Sequence, residues 1–423
     1  MATLYIHIGT PKTGTTAIQN FLLLNKELLE RKGIAHPRVE AEGMREKFKS
    51  RRNGNFLVFN SPLTGEEKKR QEQQVYRIGF QAVKRAAEAF EKVVVTDESI
   101  WLRQNIREDF WQRIAEDAKN AGCHVKVIVY LRRQDLYIQA LWNQAIKLMT
   151  RLDQTFPQYL ESDLSKRNYL DYYEKLSNIA QCIGKENLIV RVYEKDIFLN
   201  SGGIYQDFLE AVGESMSQEY QIPEKSPNER LEGNYIEIKR IINRIPEYKK
   251  MPLDDMYDPM IMASNLRKPE KVSYFSYEEQ IDFLKKYEAS NRRVAEEFLG
   301  RLDGVLFTEP IEKLPQWKID DTIMYQDIIL FYAELAFKQK KETEDLNRKL
   351  SQTNQKLDQM NQKLEQLDKK LTHMEKEKDK LSQKCKALER EVHNPVVHCS
   401  VLFQKIKKKI KKFFCREKKE VES

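Results

Sequence analysis

The stretch IHIGTPKTGTT, residues 6–16, constrains this chain more than any other. Leu4, Tyr5, Ile6, His7 and Ile8 form a short apolar run rich in β-formers, and residues 17–29 carry apolar side chains at helical spacing. Between them lies a polar loop containing Gly9 and Gly14. A strand that turns through such a loop into a helix gathers free backbone N–H groups around one point, where the helix dipole also favours negative charge. The predicted object is a phosphate cradle. PKTGTT adds a rigid entry, a cation, a flexible glycine and, after it, two hydroxyls.

Gly9, Gly14 and Thr16 nearly match the spacing of the nucleotide-binding P-loop, G-x-x-x-x-G-K-[ST]. The lysine is displaced. Thr15 stands where that motif has lysine, and Lys12 projects from inside the loop, where its charge suits a group bonded to a single 5′-phosphate. PKTGTT, after an apolar strand and before a helix, resembles the 5′-phosphosulfate loop of sulfotransferases that use 3′-phosphoadenosine 5′-phosphosulfate, especially their carbohydrate-modifying branch. The resemblance covers roughly residues 3–310. It implies that Lys12 neutralises charge on the oxygen bridging phosphorus and sulfur, while Lys12, Thr13, Gly14, Thr15 and Thr16 hold the 5′-phosphate.

With 423 residues the chain can hold one large α/β domain plus an appendage. Charged residues make up 33%, which points to an extended, solvent-rich segment. The first strand starts within three residues of Met1, leaving no room for a signal peptide, and no stretch approaches eighteen apolar residues. A cytoplasmic enzyme is expected. Cys123, Cys182, Cys385, Cys399 and Cys415 lack C-x-x-C spacing, so neither a zinc site nor a disulfide framework is suggested, and no metal is expected.

Along the chain, a brief second strand is expected at residues 34–37, with His36 near its end. Residues 38–69 show no clean periodicity and carry Lys47, Lys49, Arg51, Arg52, Lys68 and Lys69, either a solvated loop or a basic flap over an acidic acceptor. A helix over 72–90 feeds a strand at 93–96, which ends in Asp97-Glu98-Ser99. If the strands are parallel, these carboxylates face the same crevice as the loop. One suits a general base that takes the proton of an attacking hydroxyl; Glu98 is favoured, as sulfotransferases of this kind use a glutamate or a histidine, with Asp97 second. The rival role is a cap on the following helix.

After a helix over 106–119, residues 124–131 are the clearest buried strand, leaving through Arg132 and Arg133. In the sulfotransferase pattern such a strand ends in an arginine, with a serine eight residues on, and the pair grips the 3′-phosphate. Arg132 fits, its fork being suited to phosphate, but the serine position is Ala140. Gln139, Asn143 and Arg133 are candidates to compensate, and a plain arginine pair capping the sheet edge is the alternative. Residues 151–168 read as a connection and 169–182 as a helix; a strand at 188–193 brings Tyr193 and Glu194 to the crevice edge. Helices follow at 203–212, 235–245 and 277–299, with a basic loop at 265–269 and a last apolar segment at 304–307.

From Leu346 to Val392 a heptad repeat runs without Gly or Pro, with one seam at Leu350, Leu357, Leu364, Leu371, Lys378, Cys385 and Val392. The other seam is Leu346, Thr353, Met360, Leu367, Met374, Leu381 and Leu388. A coiled coil and self-association are expected, and Lys378 in the seam argues for a small, registered oligomer such as a dimer. Asn394-Pro395 breaks the helix. From Val401 onward nine Lys or Arg oppose three Glu, so +6 of the net +8 sits in a tail with Phe403, Ile406, Ile410 and Phe413 at helical spacing. Such a tail suits an anionic membrane surface at the inner face rather than nucleic acid, for which no recognition motif is present.

The expected architecture is therefore an α/β domain with a P-loop-type parallel sheet flanked by helices at 1–310, a connecting helical segment at 311–339, a coiled coil at 340–393 and a basic amphipathic tail at 394–423. The expected activity is sulfuryl transfer to a carbohydrate or glycolipid hydroxyl. Two other classes remain: a P-loop ATPase or kinase with Asp97 on magnesium, since VVVTDE also resembles a Walker B strand, and a catalytically degenerate membrane-associated scaffold, for which Ala140 is the support.

Overall fold

A computed structural model describes residues 1–102, 109–147, 151–163, 170–194, 203–224, 231, 233–247, 254–266, 271–391 and 403–412. The chain divides into two units, Met1–Lys338 and Gln339–Ser423. In chain order the first unit opens with β1 (Ala2–His7), α1 (Thr15–Leu24), α2 (Lys26–Arg31) and β2 (Ile34–Ala35). The single helix expected over 17–29 is divided at Asn25, whose amide donates to Phe21 O at 3.0 Å and to Gln221 O at 2.8 Å. A side chain that competes for backbone groups in this way ends a helix.

The stretch expected to be irregular contains α3 (Glu46–Lys49), a 3₁₀ turn at Asn53–Leu57 and the start of α4 (Gly65–Ala89). Then come β3 (Lys92–Thr96), α5 (Ser99–Leu102), α6 (Phe110–Asn120), β4 (Cys123–Leu131) and α7 (Gln134–Lys147). The expected connection at 151–168 holds a helix instead, α8 (Phe156–Glu161). Thr155 and Gln158 cap its start reciprocally and Pro157 sits in its first turn, where a missing N–H costs nothing. Next are α9 (Tyr172–Ile183), β5 (Leu188–Val192), α10 (Ile204–Ala211), α11 (Asn234–Ile242) and α12 (Asp254–Leu266). The helix expected over 277–299 is two, α13 (Tyr277–Lys285) and α14 (Glu288–Leu299).

The five strands form one parallel sheet in the order β2-β3-β1-β4-β5. Side chains alternate across β1: Leu4, Ile6 and Ile8 pack with α4, α6, α7 and α9, whereas Tyr5 packs with Ile18 and Phe21 of α1 and Phe208 of α10. Both faces are thus covered, as a parallel sheet requires. From β1 the chain passes to the edge strand β2, returns to β3 beside β1, and then crosses to β4 and β5 on the other side. The carboxyl end of β1 is therefore the point where the winding reverses and a crevice opens.

The final helix of the described body, α15 (Asp321–Glu391), begins inside the first unit. There Phe331 is buried, Asp327 accepts a hydrogen bond from Asn234 Nδ2 at 2.9 Å, and Lys338 pairs with Asp258 at 3.5 Å. The remainder, in the second unit, is one unbroken helix carrying the heptad seams. Residues 403–412 are helical. Asn394-Pro395, the rest of the tail and most of the basic loop at 265–269 lie outside the described residues. Among the described residues no helix is long and apolar enough to cross a membrane.

Candidate active site

The loop after β1 is held from behind by the sheet. Tyr130 N–H donates to Gly9 O at 2.7 Å and Thr10 N–H to Tyr130 O at 2.8 Å, so the β1–β4 ladder continues into the loop. Gly9 lies at φ +87°, and a Cβ there would stand 3.0 Å from the Cβ of Glu98. The loop therefore runs directly against the exit of β3. Gly14, at φ +75°, precedes α1, and a Cβ would come within 2.3 Å of Ile204 Cδ1 and 3.2 Å of the Tyr193 ring. Only glycine fits both the conformation and the space.

No side chain caps the start of α1 and its first turn holds no acidic residue. Ile18 N–H closes onto Gly14 O at 3.1 Å, so the amides of Thr15, Thr16 and Ala17 are left for a ligand or solvent. They border a hollow of about 270 Å³ lined by Lys12, Gly14, Thr15, Thr16, Glu98 and Gln144. Among the described residues Gln144 Oε1 is buried there without a hydrogen-bond partner. Lys12 is exposed and held at φ +68°, an uncommon backbone state for a residue with a side chain. Thr13 differs from its neighbours: it is fully buried and its hydroxyl donates to Thr10 O at 2.5 Å, so it offers the site backbone only.

The two carboxylates after β3 occupy different surroundings. Asp97 is fully buried. Its Oδ1 accepts from Ser99 N–H at 2.8 Å, from Ser99 Oγ at 2.6 Å and from Arg52 Nη2, and its Oδ2 accepts from Asn55 Nδ2 at 2.7 Å. Asp97 thus locks the 3₁₀ turn and the start of α5 onto the strand end. Glu98 is partly exposed and faces the hollow; Gln19 Nε2 donates to one oxygen at 2.9 Å and Arg52 Nη1 pairs with the other at 3.2 Å. Burial opposes the Arg52 charge, but Asp97 and Glu98 outweigh that and raise its pKa. Lys47 stands close by, its pKa lowered first by burial and then by Arg52, Arg45 and Arg51.

Of the basic run singled out in the sequence, Arg52 joins the site. Lys49 pairs with Glu40, and Lys68 and Lys69 pair with Glu72 and Glu66 on α4. Gln19, Arg52, Asn55 and Gln144 are site components that sequence reasoning did not identify as such. Arg52 alone carried a signal, as a member of that run.

Arg132 leaves β4 and turns back over the loop. Its Nη1 donates to Lys12 O at 3.0 Å, its guanidinium lies 5.9 Å from the centre of the Tyr193 ring, and its carbonyl accepts from Tyr172 OH at 2.5 Å. It also borders a second cavity, about 180 Å³, with Tyr193, Gln139 and Ser273. Ala140 leaves no hydroxyl on that turn of α7. Of the residues considered as substitutes, Gln139 and Arg133 line this cavity, and all three already hold partners within the chain. Gln139 accepts from Tyr274 N–H at 2.8 Å, Asn143 donates to Leu231 O at 2.7 Å, and Arg133 pairs with Asp135 at 2.8 Å and donates to Glu309 O at 2.5 Å. Glu194 is also structural, accepting from Thr308 Oγ1 and Glu309 N–H, each at 2.8 Å. Together Arg133 and Glu194 pin residues 308–310 across the exits of β4 and β5.

Neither strand-end histidine opens on the hollow. His36 is buried, with Nδ1 3.1 Å from Val94 O and 3.3 Å from Asn53 Nδ2, and Nε2 3.1 Å from Ser50 O. His7 is fully buried, 2.9 Å from Thr96 Oγ1, between the rings of Tyr130 and Phe208. Burial lowers the pKa of His7 to about 3 and that of His36 to about 4, from 6.5. Both are neutral when folded, so the unfolded chain binds more protons between pH 4 and 6.5. Stability is accordingly full above pH 6.5 and falls as the pH drops towards 4, with each histidine contributing up to about 1.4 kcal/mol per pH unit. Urea denaturation of the wild type and a His36→Gln variant across this range checks it; equal slopes in the two proteins would remove His36 from the account.

No family model matches the chain. An uncharacterized protein of Archaeoglobus fulgidus is 30% identical over 231 residues, which cover 51% of this chain and 60% of that protein. The chain thus spans less than two thirds of that relative. Among solved structures, a sulfotransferase from Alicyclobacillus acidocaldarius superposes with a TM-score of 0.35 at 14% identity, covering 59% of this chain and 99% of that one. A sulfotransferase domain from the curacin biosynthetic pathway gives a TM-score of 0.33 at 11% identity, over 53% and 78% of the two chains.

Proposed function

We propose that the chain transfers a sulfuryl group from 3′-phosphoadenosine 5′-phosphosulfate to a hydroxyl of a carbohydrate or glycolipid acceptor. One observation carries this reading: the uncapped start of α1 borders the same hollow as Lys12 and Glu98. The hollow fits the donor's 5′ end. No side chain caps the amides at the start of α1, a Cβ at Gly14 would not be accommodated, and the first turn of α1 brings no negative charge against an anion. A metal-bound triphosphate is less well served, because Thr15 takes the place of the P-loop lysine and both oxygens of Asp97 already accept hydrogen bonds.

In the proposed reaction the acceptor oxygen forms the new bond to sulfur, and the bond from sulfur to the bridging phosphate oxygen breaks with its electron pair left on that oxygen. Lys12 offers positive charge to this leaving oxygen, and the α1 amides hold the phosphate. Arg132 holds the nucleotide. Glu98, oriented by Gln19 and Arg52, receives the acceptor's proton.

Glu98→Gln is expected to lower turnover by about a hundredfold or more while 3′-phosphoadenosine 5′-phosphate still binds. Single-turnover assays with sulfur-labelled donor and a glycan and glycolipid extract measure the first quantity, and calorimetry in a chelator measures the second. Wild-type turnover in the variant would remove Glu98 as the base. Nucleotide binding that requires Mg²⁺ and a triphosphate would replace the whole reading with an ATPase or kinase.

A further inference from the structure

In the second unit α15 carries its seam residues bare. Leu346, Leu350, Leu357, Met360, Leu364 and Leu367 are 54–67% exposed, and Leu371, Leu381 and Leu388 continue the stripe at 49–56%. Among the described residues nothing in the chain covers them. A continuous apolar stripe of this length is not left in water by a folded protein. Its period is the heptad, so the surface that fits it is another helix with the same repeat.

We infer that the occupant is a second copy of this chain, paired parallel and in register as a two-stranded coiled coil. The charges flanking the seam decide the direction. With Leu350, Leu357, Leu364 and Leu371 at a, the g positions are Lys349, Lys356, Lys363, Lys370, Glu377, Lys384 and Glu391, and the e positions are Asn347, Asn354, Asn361, Asp368, Glu375, Ser382 and Glu389. In a parallel pair each g residue meets the e residue five positions later on the other helix. Lys363 then meets Asp368, Lys370 meets Glu375, and Lys384 meets Glu389. The other three g residues with a partner meet neutral side chains, and no like charges are opposed.

An antiparallel pair of full overlap sets g against g and e against e. Lys363 would face Glu377 and Lys349 would face Glu391, but Lys370 would face Lys370, Lys356 would face Lys384, and Asp368 would face Asp368. Such oppositions act against that arrangement. Strand number follows from Lys378 at a: in a two-stranded seam its ammonium reaches water beside Glu377 of the second copy, whereas a three- or four-stranded core would enclose it. Register has a chemical marker. Cys385, an exposed free thiol at a, faces its own counterpart in the parallel pair. In the antiparallel pair it would lie opposite Thr353, about 48 Å along the axis from the other Cys385.

The test uses the full chain with Cys182, Cys399 and Cys415 changed to serine. Sedimentation equilibrium should give twice the 50.2 kDa chain mass. Mild oxidation with diamide, which takes up the two protons and two electrons released by two thiols, should then yield a covalent dimer that is lost in the added Cys385→Ser variant. Lys370→Glu and Glu375→Lys should each weaken the dimer several-fold, and the two together should restore it. A variant carrying Leu364→Asp and Leu371→Asp should sediment as a monomer while keeping the thermal transition of the first unit. A monomeric parent protein, a trimeric or tetrameric mass, or a dimer in which Cys385 fails to cross-link overturns the inference.

Discussion

Replacing Lys12 with alanine is expected to lower the turnover of sulfuryl transfer by about a hundred- to a thousandfold, with the thermal transition left where it was. The shape of the loop rests on contacts made by other groups. Arg132 holds the Lys12 carbonyl, Thr13 bonds to Thr10, and Gly9 is laddered to Tyr130, all without the ammonium group. What the backbone does carry is the left-handed conformation at Lys12, which costs about 1–2 kcal/mol for a residue with a Cβ. Strain of this kind persists where a side chain must be presented from a fixed point. Lys12→Gly therefore separates the two effects: it should be more stable than the alanine variant, and equally impaired in turnover. Either variant turning over at the wild-type rate would end the proposed role of the cation.

Asp97→Ala should produce the largest loss of stability at the site, about 3–5 kcal/mol by urea denaturation. The substitution strands Arg52, leaves Asn55 Nδ2 and Ser99 N–H without their acceptor, and cuts the tie between the 3₁₀ turn and β3. Arg52 would retain Glu98 at 3.2 Å, so the charge is not wholly orphaned, which places the expected loss towards the lower end. A variant that stays as stable as the wild type but no longer turns over would give Asp97 the chemical role assigned to Glu98.

The strand-loop-helix at the start of the chain was legible because its parts are local. So were β3, β4 and β5, since strands buried on both faces read as unbroken runs such as Val93-Val94-Val95 and Val127-Ile128-Val129. Less could be read where a contact joins distant residues. Arg52 reaches Asp97 across 45 positions, and nothing in Arg51-Arg52-Asn53-Gly54-Asn55 states which strand end the turn will land on. Gln19 and Gln144 sit on helices whose apolar spacing announced the helix but not what its polar residues would face. At α8, within the stretch read as a connection, Pro157 opens a helix, with the capping pair Thr155 and Gln158 available as the overlooked sign.

The position of β1 in the sheet also sets an order of events during synthesis. The strand is made before its neighbours: one edge of it waits for Val93 to reach Leu4, and the other waits for Val125. Until β3 has been made the strand has neither neighbour, and until β4 has been made the glycine-bearing loop lacks the Tyr130 ladder that braces it. The strand is thus among the last elements to find its final geometry, and a nascent chain halted between β3 and β4 would display an apolar strand with one edge open.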